Sequence, residues 1–374
     1  MKKNLLIASL LVTGLLASCS KETGEVPPQE QQELKFSVAT DIAETRATPV
    51  LGEAFPTTVG TAPAPVDRNT FAIYAYNKIG TNYLAAKVLD GVTATVSGNP
   101  YTVALAGSPY YKPLDSEGHA IYCISPASLK TSATVTSVAS PSPTMAITHT
   151  VPTDFAAQPD VLYAQIAPNA AAFPQNIGLL FKHMLTRVTF QCKLTGTTNA
   201  TSVTIKSLAL NNVVGTGTLT LDSGAENWSN NTATTSSFSV TLGANAKELV
   251  GGTIDEVDTP NSGTGGYTNV FADGVTNNSF LMIPANTATL NAGSLGVVVT
   301  IVANGISQDY PFNIADLGGK NWSGTSTPAP WVRGNNVNYR LELNMSKLIP
   351  ELTISSVTVE KWGNPEHVDI PLNP

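Results

Sequence analysis

The chain has 374 residues, of which 27 are acidic and 20 basic, for a formal net charge of −7. This acidic balance argues against nucleic acid or an anionic membrane surface as a partner, because both favour basic patches. Charged residues make up only 13% of the chain, against an ordinary share of roughly 25%. Long solvated helices normally carry many Lys and Glu, so the composition predicts few helices, and the length suits two domains.

The N-terminus has the pattern of a lipoprotein signal. Two lysines precede an uncharged apolar run at residues 5–16, which is too short to cross a bilayer as a helix of about 20 residues. Two small residues then stand directly before Cys19. We therefore predict a signal peptide, residues 1–18, and a lipid on Cys19. The alternative is an ordinary signal peptide with an incidental cysteine, which leaves the register of these three features unexplained.

The segment after Cys19 combines a tether, a strand and a polar stretch. Residues 20–33 are polar and acidic and contain two prolines, which is typical of a flexible tether. Leu34, Phe36 and Val38 then alternate with polar residues, the pattern of a half-buried strand. Arg46 follows in a short polar segment that ends at a proline, the kind of extended chain that a protease grips.

Short apolar runs separated by Gly, Pro, Asn and Thr turns follow one another through the rest of the chain. Many short strands with regular turn signals predict an all-β fold built from sandwiches. The longest pattern spans residues 179–194, and its second half places Val188, Phe190, Cys192 and Leu194 on one face of a strand. Residues 127–150 and 251–277 are rich in Ser, Thr, Gly and Asn, and we predict exposed loops there.

The chain ends in the pattern of a strand, a turn and a second strand. Gly363 and Pro365 mark the turn between the two apolar runs. The apolar residues of this tail are Leu352, Ile354, Val357, Val359, Trp362, Val368, Ile370 and Leu372.

No motif for catalysis, metal or cofactor binding is present. The four histidines lack metal-ligand spacing, and the sequence has no nucleophile elbow, P-loop or dinucleotide fingerprint. We therefore predict no enzymatic activity and no cofactor. The four tryptophans lie in separate segments, which favours core or interface positions over a sugar-binding platform. Cys123 and Cys192 lie inside strand-like runs, and we predict buried free thiols there rather than a disulfide bridge.

Several sequence blocks, taken in order, resemble the fimbrillins, the lipoprotein-derived subunits of type V pili in the broad Mfa-like group. The blocks are Cys19, Thr45-Arg46-Ala47, residues 160–164, residues 180–188, residues 280–284, residues 331–339, and the terminal strands with Val359 and Trp362. The resemblance implies two transthyretin-like (Greek-key) β-sandwich domains in tandem.

The polar loop before Ile177 ends the first set of strands and predicts a domain boundary near residues 175–190, and the resemblance implies what lies on either side of it. Residues 19–46 are expected to form the tether and a removable first strand, a propeptide. Residues 47–185 are expected to form the N-terminal sandwich domain. Residues 186–374 are expected to form the C-terminal sandwich domain, with donor strands at 351–374.

The function that the resemblance implies is that of a structural pilin subunit. The precursor is expected to reach the outer face of the outer membrane as a lipoprotein, where an arginine-specific protease cuts between Arg46 and Ala47. Loss of the strand with Leu34, Phe36 and Val38 then opens a groove, which the donor strand of another pilin subunit fills. The product is an extracellular fimbria used in adhesion.

Other interpretations stay open from the sequence. The strand at 34–38 is alternatively a permanent edge strand, and residues 352–372 a permanent hairpin of a monomer. The chain is alternatively an accessory, anchor or tip subunit of a fimbria. A third alternative is a monomeric outer-membrane lipoprotein that binds a glycan or a host ligand.

Overall fold

The computed structural model describes residues 32–40, 67–98, 101–136, 143–195, 203–230, 235–242, 268–270, 279–285, 296–313, 331–344 and 351–361. Within these residues the secondary structure is almost wholly β, with two short 3₁₀ helices at Ala127–Ser132 and Phe155–Ala157. The prediction of an all-β fold is confirmed. None of the helices in the described ranges is long and apolar enough to cross a membrane.

Twenty strands carry the described fold. The first nine are β1 (Lys35–Thr40), β2 (Thr70–Ile79), β3 (Asn82–Ser97), β4 (Thr102–Leu105), β5 (Gly118–Ser125), β6 (Ala133–Thr136), β7 (Thr144–Thr150), β8 (Leu162–Asn169) and β9 (Asn176–His183). The others are β10 (Thr186–Thr195), β11 (Val203–Val214), β12 (Thr216–Asp222), β13 (Ala225–Asn230), β14 (Thr235–Thr241), β15 (Thr268–Asn269), β16 (Phe280–Met282), β17 (Gly296–Ala303), β18 (Ile306–Asn313), β19 (Asn335–Asn344) and β20 (Glu351–Lys361).

The described strands form four hydrogen-bonded sheets. The seven-stranded sheet has the order β1-β9-β8-β5-β2-β3-β4. The β10–β19 sheet has the order β15-β10-β19-β20, and β16 also pairs with β10. The two four-stranded sheets have the orders β14-β11-β17-β18 and β13-β12-β7-β6. Packing of these sheets over shared apolar faces gives the sandwich-like architecture expected from many short strands.

The central strands β2 and β5 of the seven-stranded sheet are buried on both faces. On β2, Phe71 and Ile73 lie in one apolar cluster while Tyr76 lies in another. The residues of the first cluster, here called the first core, are Leu34, Val38, Phe71, Ile73, Ala75, Leu89, Ala94, Val96, Ile121, Cys123, Leu162, Ala164, Phe173, Ile177, Leu179 and Phe181. A sheet covered on both sides explains why β2 and β5 are apolar on both sides of their pleat.

The second core lies on the opposite face of the seven-stranded sheet and continues through the other three sheets. Its large members include Tyr122, Tyr163, Phe190, Phe238, Trp331 and Tyr339. Because residues from all four sheets share this core, the burial of apolar area stabilises them together.

One four-stranded sheet draws its strands from both halves of the chain. β7 pairs with β12 in antiparallel register, from Thr144 opposite Asp222 to Thr150 opposite Thr216. β7 lies before the expected boundary between residues 185 and 186, and β12 lies after it. Two strands of one sheet are therefore hydrogen-bonded to each other across this boundary. That division stays a prediction.

The expectation of an exposed loop throughout residues 127–150 is wrong. This stretch contains a 3₁₀ helix and the strands β6 and β7. Met145 and Ile147 on β7 are fully buried in the second core, while Thr148 is exposed. Threonine favours strands because its branched side chain suits a pleated surface, so a Thr-rich segment need not be a loop.

The two cysteines lie in different cores. Cys123 belongs to the first core and Cys192 to the second, and both thiols are free and buried. The prediction of buried free thiols is confirmed. Burial raises the pKa of the Cys192 thiol to about 12, with a further contribution from the carboxylate of Glu342. Burial likewise raises the pKa of Cys123 well above its ordinary value.

His149 is a buried imidazole with an unsatisfied nitrogen. It lies on β7 with 4% of its surface exposed, and its Nε2 has no hydrogen-bond partner among the described residues. Burial lowers the pKa of His149 to about 4, because the interior disfavours the charged ring.

This burial predicts acid sensitivity. In the unfolded chain His149 has its ordinary pKa of about 6.5, whereas in the folded chain its pKa is about 4. Between these two pH values the unfolded chain binds a proton at His149 and the folded chain does not. The free energy of unfolding therefore falls as the pH is lowered through this window, by about 2 kcal/mol between about pH 7 and about pH 5. Urea unfolding at several pH values measures this loss. His149→Gln removes that part of the pH dependence, and an unchanged slope in the variant contradicts the assignment.

Candidate functional site

The first strand is seated in the seven-stranded sheet. β1 runs parallel to β9, with Lys35 opposite Asn176 and Thr40 opposite Phe181. Leu34 and Val38 are 6% and 8% exposed and belong to the first core. The alternating pattern predicted a half-buried strand here, and that prediction is confirmed.

The outward residues of β1 complete the alternation. Phe36 is partly buried against the first core, while Lys35 and Ser37 are exposed. Since successive side chains of a strand point to opposite faces, one face of β1 covers the core and the other meets solvent.

Hydrogen bonds hold the start of β1 from both sides. On one side the Lys35 N–H donates to the Gln175 carbonyl at 2.9 Å. On the other side the Leu34 N–H donates to the Tyr110 carbonyl at 2.9 Å, and the Lys112 N–H donates to the Gln32 carbonyl at 2.8 Å. The first strand therefore fills the space between β9 and the segment that follows β4.

Removal of β1 has a defined structural consequence. It leaves the β9 edge and residues 110–112 without their backbone partners, and it uncovers the part of the first core that Leu34 and Val38 seal. An unpaired strand edge next to exposed apolar surface is a template for another strand. The seat of β1 can therefore accept a strand of similar pattern.

The last described strand, β20, is paired within its own chain. It runs antiparallel to β19, with Leu352 opposite Leu343 and Val359 opposite Val337. Pairing is interrupted between Arg340 and Leu341 of β19, where β20 carries one additional residue. This β-bulge explains why the apolar spacing of the tail changes from two to three between Ile354 and Val357.

The bulge preserves the pairing of the apolar tail residues with the buried side of β19. Ile354 is opposite Leu341 and Val357 is opposite Tyr339, and both of these β19 residues are buried. β20 is the last strand in the order of its sheet. The first half of the predicted donor segment is thus resident at the edge of the β10–β19 sheet.

Several predicted site residues lie outside the described residues. They are Cys19, Arg46, Ala47, Trp362, Val368, Ile370 and Leu372. Lipidation, cleavage and the second tail strand stay predictions.

A cluster of charges joins the seven-stranded sheet to the loop before β19. The Glu226 carboxylate on β13 forms ion pairs with Lys182 on β9, at 3.0 Å, and with Arg333. The Arg333 guanidinium also lies over the ring of Tyr163, 5.4 Å from its centroid. We call Lys182, Glu226 and Arg333 the charge clamp.

Three of the sequence blocks that resemble the fimbrillins, residues 160–164, 180–188 and 331–339, meet around this charge clamp. The His183 imidazole contacts the Asp160 carboxylate at 3.0 Å, and the Gly334 N–H donates to the Leu185 carbonyl at 2.9 Å. Trp331 is buried, and its indole N–H donates to the Tyr339 hydroxyl at 3.0 Å. These three blocks therefore contribute to the framework of the fold. The expected core position of the tryptophans holds for Trp331.

Glu226 was not identified by sequence reasoning. Glu226 is one acidic residue in the short polar strand β13, which pairs with β12. Nothing in the neighbouring sequence distinguishes it from other surface acids. Its importance depends on two partners that are distant in sequence. Within the described ranges, no group of three His, Cys, Asp or Glu side chains is arranged to hold a metal ion.

Comparison with protein families identifies the chain. The model of the fimbrillin-like family matches residues 57–362, which is most of the sequence. The chain belongs to the fimbrillin-like family. A comparison with curated proteins finds no match.

Solved structures similar to this chain include two from Bacteroides species. A fimbrial protein from Bacteroides vulgatus ATCC 8482 is 13% identical, with a TM-score of 0.52, and the match covers 88% of this chain and 99% of that one. A candidate cell adhesion protein from Bacteroides uniformis ATCC 8492 is 15% identical, with a TM-score of 0.48 and coverage of 90% and 99%. At this identity the first of these likenesses supports the fold alone.

The seat of β1 predicts effects of very different size for substitutions at two adjacent residues. Val38→Asp places a carboxylate in the first core, so we expect the free energy of unfolding to fall by about 2–3 kcal/mol. Ser37→Asp is the matched control on the exposed face and is expected to change it by less than about 0.5 kcal/mol. Urea unfolding and hydrogen exchange at the β9 amides measure the effect. Equal losses in the two variants contradict the described seat.

The charge clamp predicts a second pair of outcomes. Glu226→Gln leaves Lys182 and Arg333 without their shared carboxylate, whose side chain is only 13% exposed, so we expect a loss of about 1–3 kcal/mol. The control is Asp90→Asn, which breaks the exposed Lys87–Asp90 pair and is expected to cost less than about 1 kcal/mol. Urea unfolding compares them. A smaller loss for Glu226→Gln than for the control overturns the role of the clamp.

Proposed function

We propose that this fimbrillin-like protein is a structural subunit of a surface fimbria used in adhesion, and that it polymerises by strand exchange. The observation that carries the proposal is the seat of β1. One face of β1 covers the first core. Its backbone is hydrogen-bonded to the edge of β9 on one side and to residues 110–112 on the other.

The energy of the seat is large enough to matter for assembly. A fully buried Leu, Val or Phe side chain contributes about 1.5–3 kcal/mol. Leu34 and Val38 are almost fully buried and Phe36 partly so, which gives a gross contribution of roughly 5 kcal/mol before ordering entropy is subtracted. A resident β1 therefore competes with an incoming strand and keeps the precursor monomeric.

Cleavage at Arg46 supports a switch between these states. Arg46 follows the end of β1 at Thr40 by six positions, so Cys19 and β1 both lie on the N-terminal side of the proposed cut. A protease that cuts there separates the lipid and the first strand together from the rest of the subunit. β1 is then held only by non-covalent contacts and can be displaced.

The donor segment divides into two parts in this proposal. Leu352, Ile354, Val357 and Val359 pair with β19 of their own chain. Val368, Ile370 and Leu372 follow them and are proposed to enter the seat of β1 in the next subunit. Each subunit would donate its terminal strand to one neighbour and accept the strand of another. These contacts are head-to-tail, and head-to-tail contacts that do not close into a ring generate open filaments.

Processing of the full-length precursor tests the proposal. Digestion with an arginine-specific protease is expected to convert a monomer into a ladder of species that resist mild heating in SDS. Arg46→Lys keeps the charge but removes the cleavage site, and it is expected to stay monomeric under the same treatment. Light scattering after gel filtration measures the mass. Cleaved protein that stays monomeric at high concentration would falsify strand exchange.

Two deletions separate the donor part of the tail from its resident part. Removal of residues 363–374 is expected to block polymerisation without lowering stability. Removal of residues 351–374 also takes away the partner of β19 and is expected to lower the free energy of unfolding by several kcal/mol. Assembly that persists after the shorter deletion contradicts donation by the terminal strand.

A further inference from the structure

Two half-exposed apolar side chains lie beside the entrance to the seat of β1. Tyr111 is 44% exposed and Leu114 is 60% exposed, and both belong to the segment that follows β4. Glu33 pairs with Tyr111 in an isolated antiparallel bridge, and the Lys112 N–H donates to the Gln32 carbonyl at 2.8 Å. The chain that leads into β1 therefore enters the seat directly alongside Tyr111.

Contacts other than those with β1 hold this segment in place. The ring of Tyr110 packs against the first core, and its hydroxyl donates to the Ala106 carbonyl at 3.0 Å. At the other end of the segment, the side-chain amide of Asn77 donates to the Asp115 carbonyl at 2.7 Å. The two exposed side chains lie between these anchored positions, so their exposure is set by the fold.

A third half-exposed apolar side chain lies where the tail leaves the described fold. Val332 is 45% exposed and precedes β19. Its carbonyl accepts from the Asn335 N–H at 3.1 Å, and Asn335 is the partner of Lys361, the last residue of β20. The residues that are proposed to enter the seat of another subunit therefore depart from a point close to Val332.

These apolar side chains lie at opposite ends of β9 within one subunit. Tyr111 lies at the end where β9 begins, because β1 starts beside it and runs parallel to β9. Val332 lies near the end where β9 finishes, since its neighbour Arg333 belongs to the charge clamp with Lys182 of β9. An entrance at one end and a tail exit at the other suit a head-to-tail contact.

The length of the tail limits how far apart the two surfaces can be. A strand that reproduces the hydrogen bonds of β1 runs in the same direction, so its N-terminal side emerges beside Tyr111. When Val368 takes the position of Leu34, seven residue steps separate it from Lys361. Even a fully extended chain spans no more than about 25 Å over these steps. The donating subunit must therefore place the end of its β20, with Val332, near the entrance of the seat.

We propose that a second copy of this chain docks at the entrance of the seat, with Tyr111 and Leu114 of one subunit against Val332 of the next. The inference rests on the proposed strand exchange and names a second contact that accompanies it. Each of these side chains loses exposed apolar surface in the contact, which favours association. An inserted strand joins two subunits through a single chain, and the docking contact restricts their relative orientation.

Cross-linking of the cleaved polymer tests this contact. Full-length protein that carries Tyr111→Cys with Val332→Cys is digested with an arginine-specific protease and treated with a short bismaleimide. In the processed subunit Cys123 and Cys192 are buried, so the introduced thiols are the reactive ones. Covalent multimers that survive boiling in SDS are expected. The matched control is Tyr111→Cys with Ile306→Cys, a position 74% exposed on β18, and it is expected to give no covalent multimers.

The same samples separate failure of docking from failure of strand exchange. Before the cross-linker is added, the ladder that resists mild heating in SDS reports strand exchange. A ladder without covalent multimers for the Tyr111 and Val332 pair, or equal multimers for the two pairs, overturns docking and leaves strand exchange intact. Absence of the ladder overturns both proposals.

Substitution of the docking residues measures the contribution of the contact. Tyr111→Ser with Leu114→Ser is expected to slow polymerisation after cleavage about tenfold or more, because the encounter of two subunits loses the burial of two apolar side chains. Val332→Ser tests the same contact from the donating subunit and is expected to slow polymerisation as well. Ile306→Ser is the control and is expected to change the rate by less than about twofold.

Light scattering over time measures these rates, and urea unfolding of the uncleaved variants verifies that the fold is intact. Rates for the Tyr111 and Leu114 double variant and for Val332→Ser that both equal the rate of the Ile306→Ser control contradict the docking contact.

Discussion

The parallel pairing of β10 with β19 is the interaction on which the rest of the fold depends. It runs from Arg187 opposite Asn336 to Thr195 opposite Asn344 and joins segments about 150 positions apart in sequence. The closure of so long a loop costs entropy that only burial repays. Alternate residues on both strands, Phe190 and Tyr339 among them, are buried, and these two rings stack with centroids 5.4 Å apart.

This pairing positions the charge clamp and, through it, the neighbour of the first strand. The loop that leads into β19 carries Arg333, which meets Glu226 and Tyr163. Glu226 in turn holds Lys182 on β9, and β9 is the strand that pairs with β1. In the proposed strand exchange, a β9 edge held in this way would keep its shape when β1 leaves, so that the seat is already formed for a donor strand.

The sequence reveals which segments are strands better than it reveals which strands pair. The strands at Leu34–Val38 and at β10 are predictable from the sequence, because burial of one face selects apolar residues at every second position. The pairing of β7 with β12 is not predictable from the sequence, because cross-strand partners leave no local pattern. In addition, a Thr-rich segment such as β7 has the composition of a loop as well as that of a strand. The bulge in β20 did leave a trace in the change of apolar spacing after Ile354. The charge clamp arises only where Lys182, Glu226 and Arg333, from distant segments, meet.

The two buried cysteines are natural probes of local opening in the two cores. Each thiol is buried in a different core and its pKa is raised, so neither reacts while its core is closed. Alkylation of Cys123 therefore reports openings of the core that β1 seals, whereas alkylation of Cys192 reports openings around the β10–β19 pair. The rates of the two labelling reactions read the local stability of each core within one molecule, without any engineered probe.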